Sequence, residues 1–212
     1  MLNQVTRLEG AVSITSYATL QTAVANWTHR SDLTSIIPDL IVFGELRIFR
    51  EVRIRVMETT LSGTIASGVM AVPSDYLELK SAYISATPTS QLQKSTLQQI
   101  YAKYPTRTAT EKPHMIAREG SNFIFGPYPD SGYTVAGIYY ARPTSIVSSA
   151  NALFLANPDL YLFAALCEAA PYYKDDPRVQ LWEAKYGSIK QQLDFQETSE
   201  AGGGGGMAVS AC

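Results

Sequence analysis

Cysteine is nearly absent. Cys167, inside an apolar run, and Cys212, the last residue, are the two in 212 residues, so thiols supply neither a disulfide framework nor a metal-ligand spacing. A reducing compartment fits that usage. Histidine is as scarce: His29 and His114 stand far apart, which argues against a nucleophile relay or a zinc site. Charge of one sign is missing too. Seventeen Lys and Arg against nineteen Asp and Glu leave a formal charge of −2, and no global field draws the chain to nucleic acid or an anionic membrane. No apolar run reaches the ~20 residues of a membrane span, and the first residues lack the regions of a secretion signal. The expectation is a protein that stays where it is made and has no membrane partner. Walker loop, dinucleotide fingerprint, GxSxG elbow and HExxH are all lacking. The reading is therefore of a non-enzyme without catalytic, cofactor or metal residues.

What is present is scaffold. The stretch from Asn157 to Pro177 holds two helix starts, Asn157 before Pro158 and Asp176 before Pro177, around a helix that is apolar on nearly every side. A polar cap followed by proline costs a helix nothing at its first turn, and a helix without a polar face must be buried. A first helix over residues 16–28 has Ser16 to cap it and Leu20, Val24 and Trp27 on one face. A second begins near Pro38 and runs to about Thr59, and a last one from Pro177 to about Phe195 carries Trp182, Tyr186, Ile189 and Leu193 as a core stripe. Between them, from Thr60 to about Arg142, the hydrophobic period falls to two with frequent Gly and Pro, which marks a β region. There Ser95 followed by Gln98 reads as a capping box that opens a short helix.

This order predicts an α+β fold: an antiparallel helical bundle with a small inserted antiparallel β domain and an extended C-terminal arm. The divisions are 1–59 for the N-terminal helices, 60–150 for the β domain with its short helix, 151–197 for the C-terminal helices, and 198–212 for a Gly-rich arm. That arm holds five glycines and then Met207, Ala208 and Val209.

Glu168 is the one ionisable side chain inside the apolar helix, and a carboxylate there must be paired, hydrogen-bonded or protonated. Glu45 projects into the apolar arc of the second helix, with Arg50 and Arg53 at its margin and Arg47 on the charged side. A structural ion-pair cluster of Glu45, Arg47, Arg50 and Glu168 is expected, because a guanidinium satisfies a carboxylate in a fork. Two other readings use the same residues. One is a glycan hydrolase with Glu45 and Glu168 as paired carboxylates, which needs a cleft. The other is a DNA-binding module using Arg47, Arg50, Arg53 and Arg55. Asn26-Trp27-Thr28 matches a glycosylation sequon, but Trp27 belongs to a helix core face. The tyrosine pairs Tyr139-Tyr140 and Tyr172-Tyr173 suit a core or an interface better than base stacking.

Several strings resemble, jointly and in order, adaptor proteins from the head-to-tail connector of tailed bacteriophages. They are Tyr17-Ala18-Thr19-Leu20 through Trp27-Thr28-His29-Arg30-Ser31-Asp32-Leu33, Ile37-Pro38-Asp39 with Glu45-Leu46-Arg47-Ile48, and Arg55-Val56-Met57-Glu58. Val72-Pro73-Ser74-Asp75-Tyr76-Leu77-Glu78-Leu79, the Pro129-Asp130-Ser131-Gly132-Tyr133 turn with Tyr139-Tyr140-Ala141, and Pro158 to Trp182 continue the match. The resemblance covers most of residues 16–195. It implies a virion neck protein, made in the host cytoplasm, whose copies form a homo-oligomeric ring, usually of twelve, docked on the portal protein. Such a ring lengthens the DNA channel, lets DNA pass without specific binding, and offers a surface to tail or nozzle proteins. The helical part would form the ring body, and the arm residues Gly202, Gly206, Met207, Ala208 and Val209 would reach the portal.

Overall fold

A computed structural model describes residues 14–106, 108, 110–173 and 176–201. In chain order, α1 (Tyr17–Thr28) and α2 (Ile37–Glu51) precede β1 (Glu58–Thr64), β2 (Val69–Ala71), β3 (Tyr76–Ile84) and β4 (Ser90–Lys94). Then come α3 (Leu97–Lys103), β5 (Met115–Glu119), β6 (Asn122–Gly126) and β7 (Thr134–Ala141), followed by α4 (Ala152–Ala156), α5 (Pro158–Glu168) and α6 (Pro177–Ala201). The chain divides into two units. Residues up to Arg53 join those from Pro143 in a helical unit, and Ile54–Arg142 form a sheet unit.

In the helical unit Ser16 caps α1 reciprocally: its Oγ accepts from Thr19 N at 3.2 Å while Thr19 Oγ1 accepts from Ser16 N at 2.8 Å. Leu20, Val24 and Thr28 make the buried stripe of α1. Trp27, expected in that stripe, is half-exposed and meets Phe163 edge-on at 5.4 Å. The all-apolar α5 sits at the centre, packed by α1, α2 and α6. It packs tightly on α2 at Gly44, where an added Cβ would lie 2.7 Å from Ala165 N.

Helix α2 stops at Glu51 rather than near Thr59, because Val52 turns to an extended conformation (φ −105°, ψ 134°). Val52 and Ile54 are both buried, and residues two apart share a side only in extended chain. At the other end α6 runs past Phe195 to Ala201, yet only Trp182 and Tyr186 of its expected stripe are buried. The 11 residues of α5 are too few to cover the 25 of α6.

The sheet unit holds the larger departure. Seven strands form one sheet in the order β1-β7-β3-β4-β5-β6-β2. All pairs are antiparallel except β4 with β5, where Gln93 and Lys94 pair in parallel with Met115 and Ile116. The connection carrying α3 is the crossover that a parallel pair requires; α3 is capped by Thr96 and Gln99, one residue beyond the expected box. The two ends of the sheet meet, since Gly63 of β1 lies against the Met70 side chain of β2. Leu61, Ile84, Phe123, Phe125 and Val135 fill the enclosed core, and Ile100 of α3 packs with Ile124 in a second cluster.

The expected bundle with a small inserted antiparallel β domain and an extended arm is thereby corrected. The protein is a mixed α/β structure with six helices among the described residues and a seven-stranded, nearly closed, barrel-like sheet. Alternation marks a strand but does not name its neighbour, so β4, with its polar Ser90-Gln91-Leu92-Gln93-Lys94 sequence, and its parallel partner escape a local reading. The expected arm, Gly202 to Val209, lies outside the described residues.

Candidate functional site

The charged side of α2 builds a half-buried network with α5 and α6. Arg47 forks onto Glu183, Nη1 to Oε1 at 3.0 Å and Nη2 to Oε2 at 2.8 Å. Its Nε donates to Glu51 Oε1 at 3.3 Å, its Nη1 lies 3.7 Å from Glu168 Oε1, and its guanidinium stacks 4.6 Å from the Tyr186 ring centroid. Lys190 closes the chain by donating to Glu51 Oε2 at 3.1 Å. The spacing explains the assembly: Arg47 and Glu51 are one turn apart on α2, while Glu183, Tyr186 and Lys190 succeed one another at three and four residues along α6.

The electrostatics follow from that geometry. The hydrogen bond to Glu183 raises the pKa of Arg47, so the guanidinium stays charged. Burial alone would raise the Glu51 carboxyl, but the hydrogen bond from Lys190 and the charges of Lys190 and Arg47 outweigh it and hold Glu51 low. Burial, with the Glu51 charge, pushes the Tyr186 hydroxyl up. Burial and then the Glu183 charge push the Cys167 thiol up to about 12, so it carries no thiolate at neutral pH.

Glu45 stands apart from this network. It is 4% exposed, and its two oxygens accept from Ser145 Oγ at 2.6 Å and Ile146 N at 2.9 Å. The expected four-residue cluster therefore divides. Arg47 meets Glu168; Glu45 is held by the segment before α4; Arg50 Nε donates to Leu46 O at 3.2 Å. Arg53 Nη1 donates to Phe49 O and Val52 O. Glu183, Tyr186, Lys190 and Ser145 are the partners that sequence reasoning missed. Glu183, Tyr186 and Lys190 follow one another at three and four residues, a signal that was available; Ser145, a hundred residues from Glu45, offered none.

The arrangement clamps helices together. Both Glu45 oxygens are engaged and the carboxylate is buried, while Glu168 contacts Arg47. Among the described residues no group of three or more His, Cys, Asp or Glu is placed to hold a metal ion, and no helix is long and apolar enough to cross a membrane.

No curated relative matches the sequence significantly. The SU10 adaptor protein family matches residues 15–208, which span both units and all the clamp residues. The match covers nearly the whole chain, and the chain belongs to the SU10 adaptor protein family of phage structural adaptors.

Proposed function

We propose that the chain is the neck adaptor of a tailed phage: twelve copies close into a ring on the portal, extend the DNA channel and present a surface to tail or nozzle proteins. The family match over residues 15–208 carries this reading. The net charge of −2 supports it, since a basic lumen would bind phosphates and retard sliding DNA. Arg47, committed to three carboxylates, is not available to a phosphate. Head-to-tail contacts close only when the rotation between copies is right, and the portal serves as the template that sets it. The isolated chain is then a monomer or small oligomer. Residues 202–212 act as the portal arm: the glycines follow any backbone path, and Met207, Ala208 and Val209 anchor the end. Contacts that are weak singly become a stable joint when repeated around the ring.

Sedimentation of the full chain, alone and with the portal protein of the same phage, tests the proposal. A cyclic complex on portal is expected, and no interaction at micromolar concentrations would end it. Salt-sensitive DNA binding by the free chain would instead favour the DNA-binding reading.

A further inference from the structure

Two cations stand on the core side of the sheet at one end of the barrel. Leu92 of β4 and Ile116 of β5 belong to the enclosed core. Side chains two residues apart on a strand share a side, so Lys94 and Arg118 follow them on that side at the last turns of the pleat. Glu119, on the opposite side of β5, instead accepts from Tyr101 of α3 at 2.9 Å. Because β4 runs antiparallel to β3, β5 parallel to β4 and β6 antiparallel to β5, the start of β3, the ends of β4 and β5 and the start of β6 all come to this one end.

The sheet parts there. β3 and β4 pair only from Ala82 to Ile84 with Ser90 to Leu92; beyond that β4 turns to β5, and β3 is bulged between Leu79 and Ser81. The gap is a pocket of about 190 Å³ with Leu79, Ile116 and Phe123, all buried, as its floor and Lys94, Ser95 and Arg118 as its rim. Tyr76 forms a wall, held edge-on 5.4 Å from Phe123 and stacked 5.9 Å from Tyr139. The Arg118 guanidinium lies 5.2 Å from the Tyr76 ring centroid, and its Nε donates to Gly120 O at 2.9 Å. Neither Lys94 nor Arg118 forms an ion pair among the described residues.

We propose that this pocket binds a carboxylate carried on an apolar group about the size of one side chain. Three features select that ligand. The rim cations have no carboxylate of the sheet unit on them and are complementary to an anion, which Arg118 can meet with a fork and Lys94 with a point charge. The floor is apolar, so an apolar body gains by covering it. The pocket falls short of the ~300 Å³ of a drug-sized ligand site, which leaves room for one aromatic or branched aliphatic group. A nucleic-acid phosphate, flanked by sugars, would leave that floor uncovered. A free arylalkanoic acid and the C-terminal residue of a peptide both present this chemistry, and neither depends on the ring reading.

Amide NMR spectra of the isotope-labelled full chain, titrated with four probes, test the proposal. The probes are 3-phenylpropionate and a tripeptide ending in phenylalanine, each as the free carboxylate and as the amide. Saturable shifts at Ser95, Ala117 and Arg118 are expected with the carboxylates, at about tenfold lower concentration than with the amides. Lys94→Gln, at an exposed and unpaired position, is expected to weaken carboxylate binding about tenfold and to leave amide binding unchanged. Arg118→Lys, which keeps the charge and loses the fork, is expected to weaken it less. Tighter binding of the tripeptide assigns the site to a chain terminus, and tighter binding of 3-phenylpropionate assigns it to a free acid. Equal binding of acid and amide, shifts confined to other residues, or parental affinity in Lys94→Gln overturns the proposal. So does a single-stranded oligonucleotide that moves the same amides at lower concentration than either carboxylate. None of these results bears on portal binding, so the adaptor reading stands or falls separately.

Discussion

Replacing Glu45 by Ala is expected to destabilise the helical unit more than any change to the exposed ion pairs. The carboxylate is 4% exposed and accepts from Ser145 Oγ at 2.6 Å and Ile146 N at 2.9 Å. Hydrogen bonds to a charged group contribute ~1.5–3 kcal/mol each, and a buried N–H left without a partner costs ~1–3 kcal/mol. These overlap, because the Ile146 N–H is counted in both, so Glu45→Ala should cost about 3–4 kcal/mol. Glu45→Gln keeps a neutral acceptor and should cost about 1 kcal/mol. Glu168 makes the opposite case: its contact with Arg47 is 3.7 Å long and its side chain is 29% exposed, so Glu168→Gln should cost below ~1 kcal/mol. Urea unfolding followed by tryptophan fluorescence reads the right part of the molecule, since Trp27 and Trp182, the two in the chain, both belong to the helical unit. The reasoning fails if Glu45→Ala costs under ~1 kcal/mol, or if Glu168→Gln costs more than Glu45→Ala.

Gly44→Ala should lower the melting temperature although alanine gains up to ~1 kcal/mol of helix propensity, because the new Cβ would lie 2.7 Å from Ala165 N and 2.9 Å from Ala164 C, and backbone does not yield as a side chain does. In a Cys212→Ser background, Cys167 should resist a thiol reagent at pH 8 until urea unfolds the helical unit; fast native-state labelling would contradict its burial and its pKa of about 12. Burial and the hydrogen bond to Asp75 raise the Tyr139 hydroxyl from 10.0 to about 12. A raised pKa means stability intact below pH 10 and lost as the pH climbs toward 12, so circular dichroism should show the sheet unit weakening over that window, less steeply in Tyr139→Phe. Deleting residues 202–212 should leave the chain folded and weaken portal binding; docking at parental affinity would make the tail a passive linker.

Local chemistry was legible where a single helix or turn decides it. Ser16 announced the start of α1, and the run Leu160–Cys167 announced a central helix because no polar face was left to turn outward. The need for a partner at Glu168 was legible as well, since an apolar helix does not tolerate a bare carboxylate. The partner, Arg47, stood within the expected cluster, but the weight of the contact was not legible. Arg47 reaches Glu168 only at its margin, because Glu183 on α6 competes for the same guanidinium at 2.8 Å. The more deeply held carboxylate, Glu45, was mispaired in the sequence reading, as Ser145 is an ordinary loop serine until the fold brings it within 2.6 Å.

By itself the sequence determined the existence of the main helices, the near-neutral charge and the scarcity of cysteine and histidine, all of which depend on composition or on neighbours a few residues apart. Tertiary structure alone decided which strands pair. The parallel register of β4 with β5, the approach of β1 to β2 and the division of the carboxylates between two separate clamps each join residues distant in the chain. Such contacts form only where they outweigh the entropy of closing the loop between them, and that balance is struck across the whole chain at once.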